Sequence, residues 1–217
     1  NFAGLYFEEK NYEKAIKYYE EAIVDGCKVA LENLGDLYYQ TKDYQKAISY
    51  YLRNSTSVSC QKKLADIYME AENTDEAIIW YKKASESGDS NSSYKIAQIY
   101  MDLGYNEEAK KYFEIATSKN NINAYIYLGK LYFDEGKYEE AKRYFEIPAN
   151  DANTYSEHML GLIYDIHYKE YDDAKYWYEK SRSKKCIESI YNLGLLNLRL
   201  KEYNEAEKYF KEGLRSD

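Results

Sequence analysis

One proline in 217 residues leaves almost nothing to interrupt a helix. Three cysteines, Cys27, Cys60 and Cys186, form an odd and scattered set that makes neither a disulfide framework nor a zinc spacing. The only histidines, His158 and His167, have no second ligand set beside them. No run approaches the roughly 20 apolar residues that a membrane helix needs, so membrane insertion is not expected. No secretory leader precedes the first repeat, which makes a cytoplasmic location the default expectation. Basic residues are outnumbered 30 to 38, and a net charge of −8 opposes nucleic-acid binding, which rests on basic contacts to phosphate. No phosphate-cradling glycine loop, nucleophile elbow or HExxH string occurs, so no enzyme activity, cofactor or metal is expected. Leu, Ile, Val and Phe supply only 42 residues, a share that with this charge would ordinarily mean disorder.

Tyrosine reverses that reading. There are 29 of them, and they recur at fixed spacing. The string A-x-x-aromatic-aromatic begins at Ala15, Ala47, Ala77, Ala109, Ala141, Ala174 and Ala206, with steps of 32, 30, 32, 32, 33 and 32 residues. A small residue stands 12 positions before six of these alanines and 13 before Ala174: Ala3, Gly35, Ala65, Ala97, Gly129, Gly161 and Gly194. Around it the pattern is apolar-small-x-apolar-Tyr, as in LGDLY, LADIY and LGKLY. A period of this length signals a repeat architecture.

Each unit reads as two helices. Ala15, Tyr18, Tyr19 and Ala22 make one helical stripe, and Leu34, Gly35, Leu37 and Tyr38 fill one arc of the preceding helix. The small residue lets the paired helix approach, and the second aromatic of the string fills the space beside it. Turns such as TKDYQ and LKEYN are short enough to require antiparallel hairpins. Glu107–Glu108 and Glu139–Glu140 fall at the start of second helices, where the dipole favours them. One hairpin cannot bury both its apolar faces, so the units are expected to stack.

These motifs resemble the tetratricopeptide repeat, and the inter-repeat segments ESGDSNSSYKIAQIY and VDGCKVALENLGDLY resemble Sel1-like repeats. The resemblance covers the whole chain. It implies an all-α, right-handed α-solenoid of about seven antiparallel helix hairpins with a 32-residue period. Residues 1–217 are expected to form a single repeat domain and to be a segment of a longer chain, with units near 1–24, 28–54, 58–86, 90–118, 122–149, 153–182 and 187–215.

Three places break step. The link NSTSVSC is two residues short and lacks glycine, so the helices around it are expected to join tightly. Pro148 is expected to end or kink its helix near Phe145–Ile147. The turn DIHYKEYDD carries one extra residue.

Function, on this reading, lies on the surface. Offsets −3, +1 and +4 from the small residue form the stripe of the first helix opposite its packed arc, and in the resembling families that stripe lines a concave groove for peptides or partner helices. The +4 set, Phe7, Tyr39, Met69, Met101, Phe133, Asp165 and Leu198, is apolar in six units and equally suits the edge of the core. The −3 and +1 sets vary freely, and candidates among them are Tyr94, Ile126, Lys130, His158, Leu162, Tyr191, Leu195, Asp36 and Asp66. Exposed apolar members suggest a groove; the alternative is an array bent tightly enough to bury this stripe. Residues 1–108 hold 12 basic and 19 acidic residues, against 18 and 19 in residues 109–217. The expected partner is therefore a protein or peptide with basic and apolar portions. Asp36 and Asp66 at +1 disfavour the carboxylate-terminated chaperone tails that some tetratricopeptide domains clamp. The competing expectation is a structural spacer or self-assembling segment that associates end to end without a peptide ligand.

Overall fold

In the computed structural model, which describes residues 2–215, fourteen α-helices follow one another and the described residues contain no strand. They pair as seven hairpins. Hairpins 1 to 4 are α1 (Phe2–Glu8) with α2 (Tyr12–Val24), α3 (Lys28–Gln40) with α4 (Tyr44–Arg53), α5 (Val58–Glu70) with α6 (Thr74–Glu86), and α7 (Ser90–Asp102) with α8 (Asn106–Ser118). Hairpins 5 to 7 are α9 (Ile122–Asp134) with α10 (Tyr138–Asn150), α11 (Thr154–Ile163) with α12 (Tyr171–Arg182), and α13 (Ile187–Arg199) with α14 (Tyr203–Gly213). The chain divides into two compact units, Asn1–Lys119 and Asn120–Asp217. Within each, every helix packs on the helices next to it in sequence, the α-solenoid arrangement that the repeat requires.

Two contacts recur among the hairpins, and both begin with the period. The small residue of the first helix lies under the second aromatic of the string. Gly35 faces the Tyr51 ring, and a Cβ added at Gly129 would lie 2.8 Å from Phe145, at Gly161 2.5 Å from Tyr178 and at Gly194 2.5 Å from Phe210. Such distances are far inside van der Waals contact, so these helices approach as closely as glycine allows. In hairpins 1, 2, 4 and 5 the tyrosine three residues further along stacks on the first aromatic of the string. Tyr6 on Tyr18, Tyr38 on Tyr50 and Tyr132 on Tyr144 have ring centroids 5.5, 5.5 and 5.3 Å apart and planes within 10°. Offset stacking of this kind adds about 0.5–1.5 kcal/mol per pair to the area each ring buries. Tyr51, Tyr81, Tyr178, Phe113 and Phe145 are the largest fully buried side chains, so the aromatic ring stands in for the missing aliphatics.

The hairpin turns share one closure. Asp43, Asn73, Tyr105 and Lys137 each donate a backbone N–H to the carbonyl five residues back, on Tyr38, Tyr68, Tyr100 and Tyr132, at 2.8 Å. The residue just before each donor has positive φ: Lys42 63°, Glu72 56°, Gly104 81° and Gly136 74°. This is the left-handed helix stop, and only two of these four turns use glycine for it. Asp43 and Asn73 then cap the second helix, their side chains accepting from Lys46 N and Glu76 N.

The irregular places resolve differently from expectation in two cases. The shortening near NSTSVSC is taken out of α4, which has 10 residues where α2, α6, α8 and α10 have 13; the link itself is not tightened. Asn54 in that link is buried and donates to the Lys28 carbonyl at 3.4 Å, and Gln61 Nε2 donates to the Ser55 carbonyl at 2.8 Å. Side chains thus hold the longer connection in place of a left-handed stop. Pro148 does not end its helix, which runs on to Asn150. It sits in the last turn, where one missing N–H costs a single bond, and the turn is closed by Asn153 N donating to the Pro148 carbonyl at 2.9 Å. The extra residue in DIHYKEYDD becomes a π-helical turn, Tyr164–Tyr168. Glu170 N closes on the Tyr164 carbonyl at 3.0 Å, so the same closure is reached from the same landmark tyrosine with one more residue spanned.

The glycine contacts give a direct test. Gly161→Ala is expected to lower the unfolding free energy by about 1–3 kcal/mol, because the Tyr178 ring must move. Gly4→Ala, where an added Cβ meets nothing within 4 Å, is expected to be neutral or stabilising by up to about 1 kcal/mol. Chemical denaturation of the two variants checks both; equal losses would mean that the close approach does not set the hairpin geometry.

Candidate functional site

In the first compact unit, α3, α5 and α7 present their +1 and +4 positions on one face. Between them lies an open groove of about 510 Å³, walled by Tyr39, Asp66, Met69, Glu70, Lys95, Gln98 and Asp102, with Tyr81 and Ile99 also lining it. A smaller hollow of about 110 Å³ adjoins it, lined by Asp36, Tyr39, Tyr51, Lys63 and Asp66. Tyr39 and Asp66 line both.

Asp36 and Asp66 are tied into the fold as well as facing the groove. Tyr51 Oη donates to Asp36 Oδ1 at 2.6 Å, and Lys63 Nζ donates to its other oxygen at 2.8 Å. In the next hairpin Tyr81 Oη donates to Asp66, and Lys95 Nζ reaches the same carboxylate at 2.7 Å. The reason is chemical: a buried ring that carries a hydroxyl must find an acceptor, and the +1 position lies where that hydroxyl emerges. Burial first, then the aspartate bond, pushes the Tyr51 and Tyr81 phenols well above the ordinary tyrosine range. Tyr39 donates to Glu70, and that bond, helped by burial, raises its pKa to about 12. The pairing is visible in the sequence: Tyr51 and Tyr81 stand 15 residues after Asp36 and Asp66, whereas Phe113 and Phe145 stand 15 after Gln98 and Lys130. Hairpin 6 keeps the rule by another route. Its +1 residue is Leu162, and the π-helical turn brings Asp165 in, where Tyr178 Oη donates to it at 3.4 Å and Arg199 pairs with it.

The other candidates divide. Lys130 is exposed, and Tyr191 and Leu195 are 55% and 36% exposed, forming with Leu198 a stripe along α13. Tyr94 is half-buried with its ring 5.7 Å from Phe113, and Ile126 is half-buried. Leu162, expected on the surface, packs against the cores of hairpins 5 to 7 because it occupies the place that an aspartate fills elsewhere. His158 is also half-buried: its Nδ1 lies 2.8 Å from Ser189 Oγ and its ring 5.9 Å from Tyr178, and burial lowers its pKa. Among the +4 residues Tyr39, Phe7 and Phe133 pack on the core edge and Met69 is exposed. Glu70 and Asp102, at +5, were missed; they follow the apolar stripe in sequence and look there like ordinary helix ends.

Comparison with known proteins agrees with the fold. The tetratricopeptide repeat matches residues 2–54 in one form, and 63–87, 90–118, 122–146 and 187–217 in another. The chain belongs to the tetratricopeptide-repeat family. Hairpin 6, with its π-helical turn, falls outside the matched segments of this repeat chain. No curated protein matches. Among solved structures the chain is similar to MamA (27% identity, covering 70% of this chain and 94% of that one, TM-score 0.58). It is similar also to a Sel1 repeat protein from Oxalobacter formigenes (20%, 100% and 99%, TM-score 0.70) and to YrrB, a TPR protein with an unusual peptide-binding site (18%, 80% and 91%, TM-score 0.60). The fold is thus that of tetratricopeptide and Sel1-like scaffolds, which are typically non-catalytic. Among the described residues no group of three or more His, Cys, Asp or Glu is placed to hold a metal, and no helix is long and apolar enough to cross a membrane.

Two pH dependences follow. The Tyr51 and Tyr81 phenols are raised in the folded chain, so their contribution is complete below the unfolded value of about 10 and is lost as pH rises through the folded values. Tyr51→Phe with Tyr81→Phe is expected to cost about 1 kcal/mol per hydroxyl at neutral pH and to flatten the loss of stability above about pH 10. For His158 the folded value is lowered, so its contribution is complete above about 6.5 and is lost as pH falls below that. Denaturant melts of His158→Gln between about pH 7.5 and 5 should show a shallower decline than those of the unaltered chain.

Proposed function

We propose that this repeat chain is a non-catalytic interaction scaffold that holds a peptide or partner helix along the face of its first helices. One observation carries the reading: the face of α3, α5 and α7 is an open groove whose walls mix phenol, thioether, carboxylate, ammonium and amide groups. A groove that combines an apolar floor with a few oriented polar groups is the ordinary form of a recognition site. Backbone-extended or helical segments are read by such faces through side chains at regular spacing. The likeness to YrrB supports this, since that protein places a peptide-binding site on the same fold. On α13, Tyr191, Leu195 and Leu198 add an exposed apolar stripe at i, i+4 and i+7. The first compact unit holds 15 basic and 20 acidic residues, which favours a partner with basic as well as apolar portions.

Selection of a random peptide library on the whole chain tests the reading, followed by amide hydrogen exchange with a selected peptide bound. Slowed exchange is expected on α3, α5 and α7 or on α9, α11 and α13. No enrichment, or slowing confined to the second helices, would favour a spacer without a peptide ligand.

A further inference from the structure

Asp36 and Asp66 are the carboxylates that the repeat pattern marks for a ligand, yet each already holds a lysine and a phenol. What remains for a partner is one step further along the helices. Glu70, at the end of α5, accepts uncharged phenol hydroxyls, from Tyr39 and Tyr44, and no ion pair of Glu70 or of Asp102, at the end of α7, occurs among the described residues. Both carboxylates are exposed and both wall the 510 Å³ groove. Lys95 is the single cation in that wall, against Asp66, Glu70 and Asp102. Met69, Ile99 and Tyr81 line the same groove and offer apolar surface to methylene groups.

Resting on the scaffold reading above, we infer that this groove takes a lysine or arginine side chain of the bound segment, its aliphatic stem on Met69 and Ile99 and its charge between Glu70 and Asp102. The juxtaposition decides the occupant. An anionic side chain would meet like charge and a purely apolar one would leave Asp102 without a counter-charge, whereas a long cationic one satisfies the apolar and the acidic lining together. Tyr39 strengthens the fit: its hydroxyl fixes the Glu70 carboxylate in place, and the residue lines both the groove and the adjoining hollow. Lys95, by contrast, competes with the incoming charge for Asp66.

The test uses the same random peptide library, selected on the intact chain at low and at high salt. Enriched peptides should carry lysine or arginine next to an apolar residue, and binding should weaken with salt. Glu70→Gln with Asp102→Asn should weaken those peptides about tenfold while leaving the melting temperature unchanged, since Gln still accepts from Tyr39. Lys95→Met should tighten them about threefold or more. Enriched peptides without a basic residue, or basic peptides indifferent to the double variant or weakened by Lys95→Met, would overturn this inference and leave the scaffold reading standing. An empty selection would remove both.

Discussion

The contact between a glycine or alanine of one helix and an aromatic ring of the next sets the rest of this structure. It fixes how near the two helices of a hairpin lie, and thereby where the stacked tyrosines meet. A chain with so few aliphatic residues builds its interior from rings instead. Rings bury large areas, but most of these carry a hydroxyl, and a buried hydroxyl needs an acceptor. That need places Asp36, Asp66, Asp165 and Glu179 opposite Tyr51, Tyr81, Tyr178 and Tyr209. The carboxylates on the first-helix face thus arise in part from the choice of core, and only the surplus is free for recognition.

The repeat also shows how a period absorbs error. One residue too many becomes a π-helical turn that still closes on the landmark tyrosine. Too few residues shorten a helix by about a turn and leave a loop held by Asn54 and Gln61. A proline near a helix end is spanned because the next residues supply the stop. In each case the hairpin lock is kept and the adjustment is made at a helix end.

Much of this was legible in the sequence. The small residue, the aromatic string and their spacing located the hairpins and named the contact between them, because those features depend on local helical geometry. Other features depend on reach across hairpins and were not legible. Whether Asp36 is a free ligand or a partner of Lys63 depends on a side chain 27 positions away. The inward turn of Asp165 depends on a backbone form that an extra residue permits but does not announce. Leu162 looked exposed because its offset is exposed elsewhere; the shift of the acid from +1 to +4 exchanged its role. That Glu70 and Asp102 share one groove depends on the volume between α5 and α7, which spacing along the sequence does not encode.

Polar side chains also link neighbouring hairpins. Among the described residues, Lys63 to Asp36, Lys184 to Glu157, Arg182 to Glu212 and Arg199 to Asp165 each join one hairpin to its immediate neighbour. Within each compact unit, load applied along the chain would be carried from one hairpin to the next, as in a fastener opened tooth by tooth.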